Sequence, residues 1–196
     1  MSLRKKKKQK KKEEILQSAL TLLEDKGYHG TTMEEIASHL LMTKGALYYY
    51  FKDKQELVYE SQIILLNEGI SKAKKLRNSS ESPMNKLKKM IQQHLHDLIR
   101  NQSGFKLMVK PDDIFSTEQQ EEIFRLREKY AQIYDEVIHE GVEQKLFSLP
   151  KEDVKIARNL LLGAMNWVSQ WYDFPKSKSI PNFLEAITDY LLRIVR

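Results

Sequence analysis

Three features of the sequence predict an all-α fold. Apolar residues recur at three- and four-residue intervals, as in Leu87, Met90, Ile91, Leu95 and Leu98, which is the spacing of one helix face. Turn formers are scarce, with seven glycines and five prolines in 196 residues, and no run of alternating β-branched residues marks a strand. Capping residues stand where the apolar periodicity starts, Thr32 with Glu35 being the clearest case. About nine helices are expected, in three parts. These are a disordered basic tail over residues 1–12, a small helical unit over 13–58 and a larger helical domain over 59–196.

Composition narrows the functional classes. The chain has no cysteine, which excludes disulfides, cysteine nucleophiles and thiolate metal sites and fits a reducing cytoplasm. No apolar run approaches the length of a membrane span. The basic N-terminus lacks the apolar segment of a signal peptide. The formal net charge is +6, yet residues 1–12 hold eight basic side chains and no acid, which leaves the remainder at −2. The basicity therefore belongs to the tail, which is too charged to pack and suits an arm reaching for phosphates.

In chain order, Glu13 to Lys26 forms the first helix, with Ile15, Ala19, Leu22 and Leu23 as its apolar stripe and Gly27 as its stop. The capping box at Thr32 starts a second helix at Met33, whose apolar face is Met33, Ile36, Ala37 and Leu40. Thr43 caps a third helix, Lys44 to Phe51. Leu47 and Phe51 point inward, while Lys44, Gly45, Tyr48 and Tyr49 stay outside. Two short helices joined by a tight turn form a helix-turn-helix, whose second helix enters the DNA major groove.

The stretch from Thr31 to Leu57 carries T-T-x-x-x-I-A, T-K-G-x-L-Y-Y-Y-F and K-D-K-x-E-L. It resembles the N-terminal domain of TetR/AcrR-type transcriptional repressors. The resemblance implies an N-terminal DNA-binding domain and a larger helical ligand-binding and dimerisation domain. It also implies a DNA-facing set of Thr32, Thr43, Lys44, Gly45, Ala46, Tyr48, Tyr49 and Lys54. One position departs from the family. Leu40-Leu41 stands in the turn where Ala-Gly is usual, and leucine resists the positive φ that glycine accepts, so a strained or reshaped turn is expected.

A long helix, from Asp53 or Lys54 to about Arg77, closes the small unit and enters the second core. Residues 78–83 are a linker, and Pro83 is placed to open the next helix. That helix runs to Arg100 with Leu87, Met90, Ile91, His94, Leu95 and Leu98 on one side. His94 and His96 diverge on a helix and cannot share a metal ion, so no metal site is expected. Thr117 starts the longest helix, to about Lys145. Glu152–Tyr172 and a helix from Ile180 follow.

Met90, His94, Phe105, Met108, Phe124, Tyr130, Tyr134 and Trp167 are the candidates to line a cavity for a small hydrophobic effector. The last two helices carry more apolar surface than one small domain covers, which predicts a homodimer. Leu161, Ala164, Val168, Trp171, Leu191 and Ile194 are the candidate interface. The segments Gly163–Tyr172 and Leu126–Tyr130 resemble the branch of the family that senses CoA thioesters. This implies a fatty acyl-CoA effector, with a multidrug-type sensor as the alternative. No phosphate-binding glycine loop, nucleophile elbow or metal-spaced cluster supports an enzyme or a cofactor. An architectural DNA-binding protein without an effector is the remaining reading. For the repressor, double-stranded operator DNA is the expected partner, with no membrane involved.

Overall fold

A computed structural model describes residues 2–100, 114–172 and 180–196, apart from the side chains of Glu24 and Asp25. The fold is all-helical. Among the described residues are α1 (Leu3–Lys26), α2 (Met33–His39), α3 (Lys44–Tyr48), α4 (Lys54–Arg77), α5 (Pro83–Arg100), α6 (Thr117–Glu143), α7 (Val154–Trp171) and α8 (Ile180–Leu192). A 3₁₀ turn, Lys151–Asp153, precedes α7. None of these helices is long and apolar enough to cross a membrane.

The first correction concerns the basic tail. Residues 1–12 were expected to be disordered, but helix α1 starts at Leu3 rather than Glu13. The Ser2 hydroxyl caps it by accepting from the Lys5 amide at 3.4 Å. Lysine and glutamine are good helix formers, and Gln9 reaches Glu13 at 3.0 Å one turn on. Lys12 pairs with Glu60 of α4, and its ammonium lies 5.0 Å from the centre of the Phe51 ring. A charged segment that would be unstructured alone is thus held by contacts with the folded unit.

Helix α2 opens on the predicted capping box. The Thr32 hydroxyl accepts from the Glu35 amide at 3.2 Å, and the Thr32 amide donates to the Glu35 carboxylate at 2.9 Å. Met33, Ile36 and Ala37 are buried. Its end is a Schellman turn: the Leu41 amide donates to Ser38 O at 3.1 Å and the Met42 amide to Ala37 O at 2.9 Å. Leu41 occupies the left-handed position with φ of 53°, so the expected strain is located at this residue. Its side chain is 96% exposed and packs on nothing that would offset the strain. The same turn ends α6, where Lys145 has φ of 57°.

Asp53 caps α4, accepting from the Glu56 amide at 2.7 Å. Leu57 and Val58 are buried near the start of α4, and Leu66, Ile70 and Ala73 further along. Helix α4 packs on α1 at one end and most extensively on α6 along its length. Helix α5 is central to the larger domain, packing on α4, α6, α7 and α8. Its predicted face, Leu87, Met90, Ile91, His94, Leu95 and Leu98, is buried throughout. After α6 the chain folds back so that the Phe147 ring covers Gly141. A Cβ at Gly141 would meet that ring at 2.2 Å, so no larger residue fits there without displacing it. The Ser148 amide donates to Val195 O at 3.0 Å, which ties the C-terminus to the same corner.

Replacing Leu41 by glycine relieves the left-handed strain at the cost of greater freedom in the unfolded chain. Leu41→Gly is expected to raise the unfolding free energy by roughly 0.5–1 kcal/mol, measured by urea denaturation. An unchanged or lowered value would mean that the strain at Leu41 does not exceed the entropy cost of glycine.

Candidate nucleic-acid interface and buried polar cluster

Two groups of functional candidates emerge, one on the surface of the small unit and one inside the larger domain. On the surface, Thr43 caps α3 by accepting from the Ala46 amide at 3.2 Å. Helix α3 ends at Tyr48, short of the expected Phe51, although the Phe51 amide still reaches Leu47 O at 3.1 Å. Leu47 and Phe51 are buried against α1, α2 and α4, which turns the opposite face outward. Thr32, Thr43, Lys44 and Gly45 are exposed and Ala46 is half-buried. Tyr48 and Tyr49 are 41% and 62% exposed. Seven of the eight predicted positions thus reach the surface of two adjoining short helices.

Gly45 has open space around it: a Cβ there would touch nothing within 4 Å. Nothing in the fold of the chain requires glycine at this position. Lys44 pairs with Glu34 of α2, which raises the lysine pKa and lowers that of the carboxylate. The Lys44 ammonium also lies 5.7 Å from the Tyr48 ring centre. Both Thr32 and Thr43 hydroxyls already serve as helix caps.

Lys54 differs from expectation. Its ammonium donates to the Tyr28 and Thr31 carbonyls and sits 4.2 Å from the Tyr28 ring centre. Partial burial lowers its pKa. Lys54 is therefore a clasp between α4 and the α1–α2 connection, with its charge turned into the protein. In the chain alone these two carbonyls, rather than a phosphate, hold the ammonium.

Inside the larger domain, four of the cavity candidates meet. The Tyr134 hydroxyl donates to Met90 O at 3.2 Å and lies 3.2 Å from the Tyr130 hydroxyl. His94 Nδ1 is 3.1 Å from the Tyr130 hydroxyl, and Nε2 is 3.1 Å from Asn166 Oδ1. An imidazole protonated on Nε2 satisfies both contacts, donating to Asn166 and accepting from Tyr130. Burial drives the His94 pKa down to about 4, against smaller opposing contributions from Asn166 and Asp97. Burial raises both tyrosine pKa values. The site is thus a neutral strip whose hydroxyl and imidazole donors are engaged within the chain, running from buried Tyr134 to exposed Asn166.

The other cavity candidates are not gathered there. Phe124 and Trp167 are 70% and 62% exposed, a correction with a simple origin: Phe124 follows buried Ile123 and Trp167 precedes buried Val168, about 100° around their helices. Phe105 and Met108 lie outside the described residues. Asn166 was missed because its contact with His94 spans 72 positions in sequence and leaves no local pattern.

The predicted dimer face also needs correction. Leu161, Val168 and Leu191 are buried in the core of the chain's own fold, and Ile194 is half-buried. Ala164 and Trp171 are exposed. With Ile156, Leu160 and Trp167 they form an exposed apolar stripe along α7, whose Trp171 ring meets Phe183 of α8 edge-on at 5.9 Å. The two sites are bridged where the first turn of α4 meets the start of α6. There the Gln55 side-chain amide donates to Gln119 Oε1 at 2.7 Å, and the Tyr59 and Phe115 rings meet edge-on at 6.2 Å.

Comparison with known proteins locates both units. A family model described as "Bacterial regulatory proteins, tetR family" matches residues 15–60, and one described as "Tetracyclin repressor-like, C-terminal domain" matches residues 80–195. The biofilm operon icaADBC HTH-type negative transcriptional regulator IcaR of Staphylococcus aureus is 40% identical over 66 residues, covering 29% of this chain and 36% of that protein. The chain spans about a third of the length of the curated relatives it matches. The crystal structure of the TetR-family regulator PfmR from Thermus thermophilus superposes with a TM-score of 0.82 at 27% identity, over 91% of this chain and 97% of that one. AibR in complex with isovaleryl coenzyme A and operator DNA gives a TM-score of 0.75 at 22% identity, over 94% and 97%.

The neutral state of His94 carries a pH dependence. Its folded pKa is depressed, so the unfolded chain takes up the proton first as pH falls below about 6.5. Stability contributed by the neutral imidazole is full above that pH and is lost progressively toward pH 4. The urea midpoint of the wild type should fall more steeply between pH 6.5 and 4 than that of His94→Gln, by about 2–3 kcal/mol in unfolding free energy. Parallel pH profiles would mean that the fold does not depress the His94 pKa.

Proposed function

This chain belongs to the TetR family of bacterial regulatory proteins, and from that premise we propose that it is a ligand-responsive transcriptional repressor acting in the cytoplasm. Residues 13–58 form the DNA-binding unit, and residues 59–196 bind the effector and dimerise. The observation that carries the reading is the outward face of α3. Lys44, Gly45, Tyr48 and Tyr49 are exposed on a helix-turn-helix whose inward residues are all satisfied in the core. Lys44 offers a donor to a guanine edge or a phosphate, Gly45 lets the backbone come close, and the tyrosines offer hydroxyls and ring edges.

One five-residue helix reads few base pairs. The apolar stripe of Ile156, Leu160, Ala164, Trp167 and Trp171 would be covered by the same stripe of a second copy. That pairs two α3 helices at a fixed spacing and makes the operator palindromic. A small hydrophobic effector bound at Met90, His94, Tyr130 and Tyr134 would displace α6 relative to α4, because Tyr130 lies 3.5 Å from the position of a Cβ on Gly69 of α4. The Gln55–Gln119 bridge then passes the displacement to the DNA-binding unit. Release requires several kcal/mol of differential affinity for the two conformations. A fatty acyl-CoA is the effector class favoured here. The Tyr130 hydroxyl, on leaving His94 Nδ1, would donate to a thioester carbonyl, and the structurally similar AibR is known with isovaleryl coenzyme A.

The test is a fluorescence-anisotropy titration on the chain's own upstream intergenic DNA, with and without a long-chain acyl-CoA. Specific binding that is lost on adding acyl-CoA is expected. Binding that ignores the acyl-CoA overturns the effector class, and an absence of specific binding overturns the repressor. Gly45→Ala separates folding from function at the interface. It should raise thermal stability slightly, by up to about 1 kcal/mol through helix propensity, while weakening operator affinity at least about tenfold by blocking close approach. Unchanged affinity would show that DNA does not approach the backbone at α3.

A further inference from the structure

We propose that the lysine-rich first half of α1 is a rigid arm that lies along the DNA phosphates flanking each operator half-site; this rests on the repressor reading above. The segment Leu3–Lys12 precedes the part of the chain matched by the family model, which begins at residue 15. It is helical and about 15 Å long, a length along which duplex DNA presents roughly nine phosphates. Among the described residues, no carboxylate pairs with Arg4, Lys5, Lys6, Lys7, Lys8 or Lys10; the acids near this segment are taken by Gln9, Lys11 and Lys12.

What distinguishes this arm from a loose polycation is its registration on the recognition helix. Lys8 holds its ammonium 4.5 Å from the centre of the Tyr49 ring, on the exposed face assigned to DNA. One turn on, Lys12 is fixed between Glu60 and the Phe51 ring. Arg4 and Lys5 lie one turn before Lys8 on the same side of the helix. The stripe Arg4, Lys5, Lys8 therefore continues outward from α3 in a set direction. A duplex seated on Tyr48 and Tyr49 meets these charges beyond the base pairs that α3 can read. Phosphate contacts of this kind add affinity and fix register without reading sequence.

The experiment compares two duplexes, both selected from a randomised library by the full chain. One is the selected core, and the other is that core with about ten base pairs of unrelated sequence on each side, roughly one helical turn. The wild type should bind the flanked duplex about tenfold more tightly at moderate salt. K5Q/K6Q/K7Q/K8Q should lose that gain but keep its sequence preference, and the slope of log K against log salt should flatten by about 3. Lys7→Pro keeps the other arm charges but breaks the helix, and it should lose most of the gain too.

Specific binding of the core with no benefit from flanks overturns the arm and leaves the repressor standing. A quadruple variant that keeps the gain does the same. Wild-type behaviour from Lys7→Pro overturns the rigid helix in favour of an unstructured polycation. If the full chain selects no duplex at low salt, the repressor reading fails and the arm fails with it.

Discussion

The architecture depends on one helix having to be covered along its whole length. Helix α4 is 24 residues long, about 36 Å. It carries buried residues from Leu57 to Ala73. No single small core spans that distance, so α1 and α5 each cover part of it and α6 packs along it. The division into a small and a large unit follows from this. So does the position of Lys54, which seals the joint between α4 and the chain connecting α1 to α2. Because α4 belongs to both cores, neither unit can tilt without carrying it.

The larger domain concentrates its polar interior at one place. Burial of Tyr134 and His94, with half-buried Tyr130 between them, is tolerated because their polar atoms have partners, and burial favours the neutral form of each. Elsewhere in the same domain the buried charges are paired across helices. Lys86 meets the Glu140 carboxylate at 2.9 Å and 3.0 Å, and Arg158 approaches Asp135 at 3.3 Å. These ion pairs tie α6 to α5 and to α7, and the neutral strip lies among the same three helices.

The elements governed by local chemistry were legible in the sequence. The Thr32 capping box, Pro83 at the start of α5 and the six-residue face of α5 depend on neighbours within a turn or two, and each stands where the sequence places it. The strain at Leu41 was legible for the same reason, since a tight turn demands a positive φ whatever surrounds it. What escaped was set by distant partners. The helical arm depends on Lys12 meeting Glu60, Lys54 is captured by carbonyls of Tyr28 and Thr31, and Asn166 finds His94 from another helix. Helix α7 failed differently. With apolar residues nearly all round, its sequence does not say which side is inner, so Leu161 and Val168 are expected outside and Trp167 inside, the reverse of where they lie.

The link between the first turn of α4 and the start of α6 consists of an amide–amide hydrogen bond and a ring-edge contact, Gln55 to Gln119 and Tyr59 to Phe115. Neither involves a formal charge. Mobile ions screen interactions between charges and leave such neutral contacts nearly untouched. Raising the salt concentration would then weaken the hold of the basic surface on a polyanion, yet leave the contact between the two units nearly as it was.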